Sequence, residues 1–179
     1  MKYTKALFLD RDGVINHNFG YVYKIDDFKF IDGIFNLVQA AIKKEYLVII
    51  VTNQAGIGRV YYTESDFFNL MAWVKIKFNE NDGQIDDLYF CPFHPDHGIG
   101  SYKKNSNLRK PNPGMILNAQ KKHNINLSKS IMIGDKYSDM EAGISAGIST
   151  NILLTKDSSK AILGNSCHIR NLTEALKYL

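Results

Sequence analysis

Ala6-Leu7-Phe8-Leu9-Asp10-Arg11-Asp12-Gly13 is a short apolar run that stops at two carboxylates one residue apart. Such a run reads as a strand buried on both faces. In open parallel sheets ligands bind just beyond the carboxyl ends of the strands, so Asp10 and Asp12 stand where chemistry is expected. Residues i and i+2 of an extended segment point the same way. Two carboxylates would therefore crowd one small volume unless a hard cation such as Mg²⁺ compensated them. Gly13 supplies the turn that lets the backbone leave the strand end tightly. Taken alone, these residues also suit a strand followed by a solvated acidic turn, and the rest of the chain decides between the two.

At 179 residues the chain fits a single domain with a substantial core, and residues 1–179 are read as one domain. A hydrophobic content of 45% suits a globular protein. The longest apolar run, Leu47-Val48-Ile49-Ile50-Val51, is far short of the ~20 residues that span a bilayer, so no membrane association is expected. The chain reaches Asp10 almost at once, which leaves no room for a signal peptide and points to the cytoplasm. Two cysteines, Cys91 and Cys167, give no disulfide framework, in keeping with a reducing compartment. Lys and Arg total 22 against 18 Asp and Glu, a formal charge of +4. That excess suits a small anionic substrate at least as well as nucleic acid.

Working outward, Asn16 to Phe30 has no clean periodicity and reads as a loop over the first strand end. Ile34, Leu37, Val38, Ala41 and Ile42 recur at helical spacing and end in Lys43-Lys44, which suits a helix C-terminus. Tyr46 to Val51 is the second strand, followed by the polar, glycine-bearing turn Thr52 to Arg59. Thr63 and Asp66 form a capping box for a helix whose apolar face is Phe67, Leu70, Met71, Val74 and Phe78. Asp87 to Cys91 is the third strand, and Pro92 to Asn112 a long aperiodic connection of the kind that usually carries function. Asn112 as N-cap with Pro113 at the first helical position starts the next helix. Arg109 and Lys110 then oppose the macrodipole, a placement that an anion would justify. Ser130 to Asp135 is another strand ending in a carboxylate, Ser138 caps the helix after it, and Gly147 stops that helix. Asn151 to Leu154 gives a further strand, and Leu172, Ala175 and Leu176 a terminal helix. The alternation predicts a Rossmann-like, doubly wound α/β sheet with helices on both faces. Neither the segment after the first strand nor that after the second helix is long enough for a separate cap domain.

Asp10 and Asp12, Thr52, Lys110 and Asp135 converge on one sheet edge. In this order they match the motifs of the haloacid dehalogenase-like phosphohydrolases, which the chain resembles from Leu7 to about Gly147. Within that superfamily Asp10 to Asn16, Gly20-Tyr21-Val22, Thr52 to Ile57, Arg109 to Met115 and Gly134-Asp135-Lys136 look like the D-glycero-D-manno-heptose 1,7-bisphosphate phosphatases. The histidinol-phosphate phosphatases are the near relatives of that family.

The resemblance implies hydrolysis of the C7 phosphate of a small sugar bisphosphate, in nucleotide-activated heptose biosynthesis for lipopolysaccharide or other surface glycans. It implies that Asp10 attacks phosphorus to form an aspartyl phosphate, splitting one hard displacement into two. Asp12 then acts as general acid and base. Mg²⁺ would be held by the carboxylates of Asp10 and Asp135 and the main-chain carbonyl of Asp12. Thr52 and Lys110 would clamp the phosphoryl oxygens. By the same resemblance, Arg11, Asn18, Phe19, Gly20, Tyr21, Asn53, Gln54, Ala55, Arg109 and Lys136 bind substrate. For Lys136 a salt bridge to a metal-site carboxylate is the other reading, and for Arg59, Lys103 and Lys104 a solvated surface stands against a distal phosphate site.

The family often carries a zinc loop of one histidine and three cysteines before the Arg-Lys-Pro motif. Here Cys91 remains, but Phe93 occupies the histidine position, and Ser106 and Leu108 stand where the cysteine pair would be. Cys91, His94 and His97 fall short of a four-coordinate site, so a loop without zinc is expected. Gly56-Ile57-Gly58 lacks the third glycine and the acid of a dinucleotide site. The reading is a monomeric Mg²⁺-dependent phosphatase that acts on no nucleic acid. Histidinol phosphate is the rival substrate. A nucleic-acid 3′-phosphatase, which would need a basic groove with exposed aromatics, is the rival of another class.

Overall fold

A computed structural model describes residues 4–157, 159 and 161–179. Six strands, β1 (Lys5–Leu9), β2 (Tyr46–Asn53), β3 (Asp87–Cys91), β4 (Ile131–Gly134), β5 (Thr150–Leu154) and β6 (Ser166–Ile169), form one sheet. Its order is β3-β2-β1-β4-β5-β6 and every neighbouring pair is parallel. The helices are α1 (Ile34–Lys43), α2 (Ala55–Gly58), α3 (Glu64–Glu80), α4 (Gly114–His123) and α5 (Tyr137–Ala146).

Burial on both faces explains the unbroken apolar runs. Leu7 and Leu9 of β1 pack with Val48, Ile50, Ile131 and Ile133 against α1 and α3. Ala6 and Phe8 point the other way, with Ile49, Val51 and Met132, against Met115, Ile116 and Ala119 of α4 and Met140 and Ala142 of α5. This is the doubly wound sandwich that the strand and helix alternation predicted. The β1–α1 connection carries only a 3₁₀ turn, Ile25–Asp27, and no cap domain is present among the described residues. No helix among them is long and apolar enough to cross a membrane.

From β1 the chain winds outward to β2 and β3, then returns to β4 and winds the other way. The topological switch point therefore lies between the carboxyl ends of β1 and β4, where such folds open a crevice. The Asp10 amide donates to Ile133 O at 3.0 Å, which locks the two strand ends together beside Asp10 and Asp135.

Four local expectations are corrected. The helix expected from Pro113 begins at Gly114, with Pro113 as N-cap; the Asn112 side chain donates to Ser106 O at 3.0 Å and caps nothing. Ser138 does not cap α5 either. Lys136 is the N-cap, and its amide donates to Asp139 Oδ2 at 3.0 Å. The terminal helix is a 3₁₀ helix, Leu172–Tyr178, capped by Asn171. Strand β6 was not anticipated, because Ser166-Cys167-His168-Ile169 has no apolar run of its own; pairing with β5, from Asn151↔Ser166 to Leu154↔Ile169, recruits it. The Thr63–Asp66 capping box and the stop at Gly147, φ +91°, are present as expected.

Candidate active site

Asp10 and Asp12 both line one cavity of about 550 Å³ at the switch point, as the i, i+2 spacing predicted. Asp10 is 5% exposed. Arg11 between them turns the other way and is fully buried. Its Nη2 donates at 2.7 Å to both Asp12 Oδ1 and Val22 O, while its guanidinium lies 5.7 Å from the centre of the Phe67 ring. Of the side chain expected to meet substrate, Nη2 holds Asp12 and the Tyr21–Tyr23 loop, while Nε and Nη1 are buried without a hydrogen-bond partner. Asp12 Oδ1 also accepts from Asn16 Nδ2 at 3.1 Å, and Asp12 Oδ2 from Gln54 Nε2 at 3.0 Å.

At the end of β2, Thr52 is buried and its hydroxyl accepts from Gln54 Nε2 at 2.9 Å. The amide of Gln54 is held in turn by the Tyr62 hydroxyl, which donates to Oε1 at 2.6 Å. Burial pushes the Tyr62 phenol up to about 12, so it remains a donor at any working pH. Asn53 reads the backbone of the long connection: its Nδ2 donates to Lys110 O at 3.0 Å and its Oδ1 accepts the Lys110 amide at 3.1 Å.

Lys110 reaches the floor of the site from that connection. Its ammonium, almost fully buried, sits 2.9 Å from Asp10 Oδ1, 2.6 Å from Asp139 Oδ1 and 2.8 Å from Val51 O. Although burial works against its charge, Asp10 and Asp139 hold Lys110 above the ordinary lysine range. Asp10 is pushed up to about 7 by its burial, with Asp139, Asp12 and Asp135 adding to the rise and Lys110 opposing it. Asp135 is raised by burial as well. Excess buried negative charge of this kind calls for a cation.

The donors suit Mg²⁺. Asp10, Asp135 and Asp139 offer carboxylate oxygens within 4.8 Å of one another. Asp139 is already engaged by Lys110 and the Lys136 amide, whereas Asp135 Oδ1 is buried with no hydrogen-bond partner. The free oxygens therefore belong to Asp10 and Asp135, and oxygen donors of this hardness favour Mg²⁺. Gly13 makes the approach possible, since a Cβ there would lie 2.4 Å from Asp135 Oδ2 and its φ is +98°.

Of the residues expected to bind substrate, Asn18, Gly20, Tyr21, Asn53, Gln54, Ala55, Arg109 and Lys136 line the cavity, together with Gly56, Tyr62, Pro111, Ser138 and Asp139. Phe19 does not. It is 62% exposed, stacks on His17 and faces a neighbouring depression. Lys136 lies 4.0 Å from Asp135 while remaining largely exposed, so it serves that ion pair and the cavity together. Asp139 and Tyr62 escaped sequence reasoning. The only signal for Asp139 was its place three residues after Lys136, where an acidic side chain can reach back to the amide that opens the helix. For Tyr62 there was none.

The long connection is pinned by polar contacts and packing. Arg109 Nη1 donates to Phe93 O at 3.2 Å, the His94 amide to Tyr102 O at 3.1 Å and the Ile99 amide to Gly58 O at 2.8 Å. The His94 and His97 rings lie 4.6 Å apart, tilted by 42°, and His94 Nδ1 accepts from the amides of Asp96 and His97. Cys91 is buried, and its thiol is pushed up by desolvation.

A family profile described as HAD-hydrolase-like matches residues 107–175. D-glycero-α-D-manno-heptose-1,7-bisphosphate 7-phosphatase of Burkholderia mallei is 52% identical over 177 residues, which is 98% of this chain and 94% of that one. D-glycero-β-D-manno-heptose-1,7-bisphosphate 7-phosphatase of Vibrio cholerae is 46% identical over 149 residues, 83% of this chain and 80% of that one. In fold, the chain is similar to the D,D-heptose 1,7-bisphosphate phosphatase of B. bronchiseptica, crystallised with magnesium and phosphate. The TM-score is 0.86 at 21% identity, covering 97% of each chain.

Proposed function

We infer, from the premise that this chain belongs to the haloacid dehalogenase-like hydrolases and within them to the heptose 1,7-bisphosphate 7-phosphatases, that it removes the C7 phosphate of D-glycero-D-manno-heptose 1,7-bisphosphate. The observation that carries this reading is the buried Asp10–Lys110 pair beside Asp12, in a cavity shared with Arg109 and Lys136. A nucleophile, a proton carrier and cations for a doubly phosphorylated ligand meet there.

Asp10 attacks phosphorus while Lys110 holds its carboxylate ionised and aimed. As the P–O bond to C7 breaks, Asp12 gives its proton to the departing sugar oxygen. Asp12 then takes a proton from the water that hydrolyses the aspartyl phosphate, regenerating both carboxylates. Asp10, Asp135 and the main-chain carbonyl of Asp12 would hold Mg²⁺, which would supply positive charge for the phosphoryl oxygens. Thr52 and Lys110 clamp the phosphoryl oxygens, and the Thr52 hydroxyl also accepts from Gln54. Arg109 and Lys136 hold the C1 phosphate, whose binding energy positions the reacting one. Asn18, Gly20, Tyr21, Asn53 and Ala55 surround the sugar. Arg11 acts by positioning Asp12, and Phe19 lies outside the contact surface.

Residues 1–179 are read as one domain that acts as a monomer. The free state of Cys91 and Cys167 supports a cytoplasmic location. The α anomer is the preferred substrate, because the α-named relative matches this chain almost end to end and the β-named one over 83%. Phosphate release from both anomers, histidinol phosphate and a 3′-phosphorylated oligonucleotide tests the reading. The α-bisphosphate should lead the β anomer by about tenfold in kcat/KM, equivalent to ~1.4 kcal/mol. Higher efficiency on histidinol phosphate or on the oligonucleotide would overturn the assignment.

A further inference from the structure

Asp12 is bonded unequally at its two oxygens. Oδ1 accepts from Arg11 Nη2 at 2.7 Å and from Asn16 Nδ2 at 3.1 Å. A carboxylate oxygen offers two lone-pair sites in its plane, so Oδ1 is full. Oδ2 accepts only from Gln54 Nε2, at 3.0 Å, and keeps one site free at the cavity. The catalytic proton therefore rides on Oδ2, and whatever orients Gln54 aims that proton.

An amide side chain alone does not settle which end faces Asp12, since oxygen and nitrogen have nearly the same shape. Tyr62 settles it. Its hydroxyl donates to Gln54 Oε1 at 2.6 Å, which directs the NH₂ group toward Asp12 Oδ2 and Thr52 Oγ1. The opposite orientation would set the amide oxygen against a carboxylate. The phenol ring is itself immobile. Tyr62 is 6% exposed and stacks on Tyr23, with centroids 5.1 Å apart and planes 7° from parallel. Gly56 lies so close that a Cβ there would come 2.2 Å from Tyr62 Cε1.

We propose that Tyr62 is a positioning residue for proton transfer, fixing the Gln54 amide so that Asp12 Oδ2 gives the leaving alkoxide its proton. The inference rests on Asp12 being the acid of the phosphatase reaction described above. It adds a residue of the cavity wall that acts through Gln54.

The leaving group separates this role from a structural one. An alkoxide needs its proton as the P–O bond breaks, whereas nitrophenolate departs without one. kcat/KM covers only the steps through alcohol release, so the later action of Asp12 on water does not enter it. Tyr62→Phe removes the hydroxyl and keeps the stacked ring. In saturating Mg²⁺ it should lower kcat/KM about tenfold on the heptose bisphosphate, leave KM within about twofold, and change kcat/KM on p-nitrophenyl phosphate by less than about twofold. Equal losses on both substrates, or no loss on the sugar phosphate, would overturn the proposal. Tyr62→His, which keeps a flat ring and withdraws the hydroxyl from Gln54 Oε1, should reproduce the same split and decides the matter should Tyr62→Phe fail to fold. The wild-type enzyme on the heptose bisphosphate tests the substrate assignment independently. Should that assignment fail, the ratio of variant to wild type is read on any alkyl phosphomonoester that the wild type hydrolyses.

Discussion

Lys110 Nζ lies 2.6 Å from Asp139 Oδ1, closer than its 2.9 Å approach to Asp10. The lysine that prepares the nucleophile is thus tethered by a second acid on the opening turn of α5, and the same acid caps that helix through the Lys136 amide. Two strand ends and a helix start are joined through one ammonium group.

Asp139→Asn keeps the shape and removes the charge. Lys110 should then swing toward Asp10 alone, with a fall in kcat of at least tenfold. Breaking a buried pair at one partner costs about 3–5 kcal/mol in the unfavourable case, so thermal unfolding should drop measurably too. Steady-state kinetics and a melting curve check both; unchanged kcat would deny Asp139 its tethering role.

Gly13→Ala should act on the metal. Its Cβ would sit 2.4 Å from Asp135 Oδ2, at a φ of +98° that favours glycine. Mg²⁺ dependence of the rate should shift to at least tenfold higher concentration, with activity partly restored by excess Mg²⁺. A wild-type Mg²⁺ titration curve in the variant would contradict this.

Asp10→Asn should abolish turnover, because the buried site then lacks its nucleophile. Asp12→Asn should leave substrate binding largely intact and slow both chemical steps. Calorimetric titration with substrate, alongside phosphate release, separates the two effects. Near-normal turnover by Asp10→Asn, with deamidation excluded by mass spectrometry, would remove Asp10 from its assigned role.

Stability should depend on pH and Mg²⁺ together. Asp10 titrates near 7 in the metal-free fold against about 3.9 in an unfolded chain. Between those values the folded state holds the extra proton, so this contribution is complete below about pH 4 and is lost as pH rises through 7. Mg²⁺ takes the place of that proton, and should therefore raise the melting temperature more at pH 8 than at pH 5. Asp87 runs the other way. Burial would raise it, but Lys122 and His123 hold it well below the usual carboxylate range. Its contribution fades only under about pH 4, outside the window compared. An equal Mg²⁺ effect at both pH values would argue against a raised Asp10.

The Pro92 to Asn112 connection should work without zinc, since Arg109, His94 and Ile99 already hold its backbone. Elemental analysis of untagged protein should find no stoichiometric zinc, and a zinc-selective chelator in excess Mg²⁺ should leave activity unchanged. Stoichiometric zinc lost together with activity would place a metal on Cys91, His94 and His97.

The sequence by itself determined strands β1 to β5, their order of chemistry and the face they share. Ala6 to Leu9 and Leu47 to Val51 are buried on both sides wherever they pair, so a continuous apolar run was sufficient to read them. Asp10, Asp12, Thr52 and Asp135 follow such runs and Lys110 precedes a helix start, and parallel topology brings those ends to one edge. Tertiary structure alone decided what those groups touch. Arg11 turns into the core because Val22 O and Phe67 await it there, and no local pattern distinguishes a buried arginine from a substrate-facing one. Asp139 meets Lys110, and Tyr62 meets Gln54, only because separate elements are packed side by side. Strand β6 exists because β5 offers it an edge. Local sequence encodes burial and backbone state through short-range periodicity, whereas partners distant along the chain are chosen by packing.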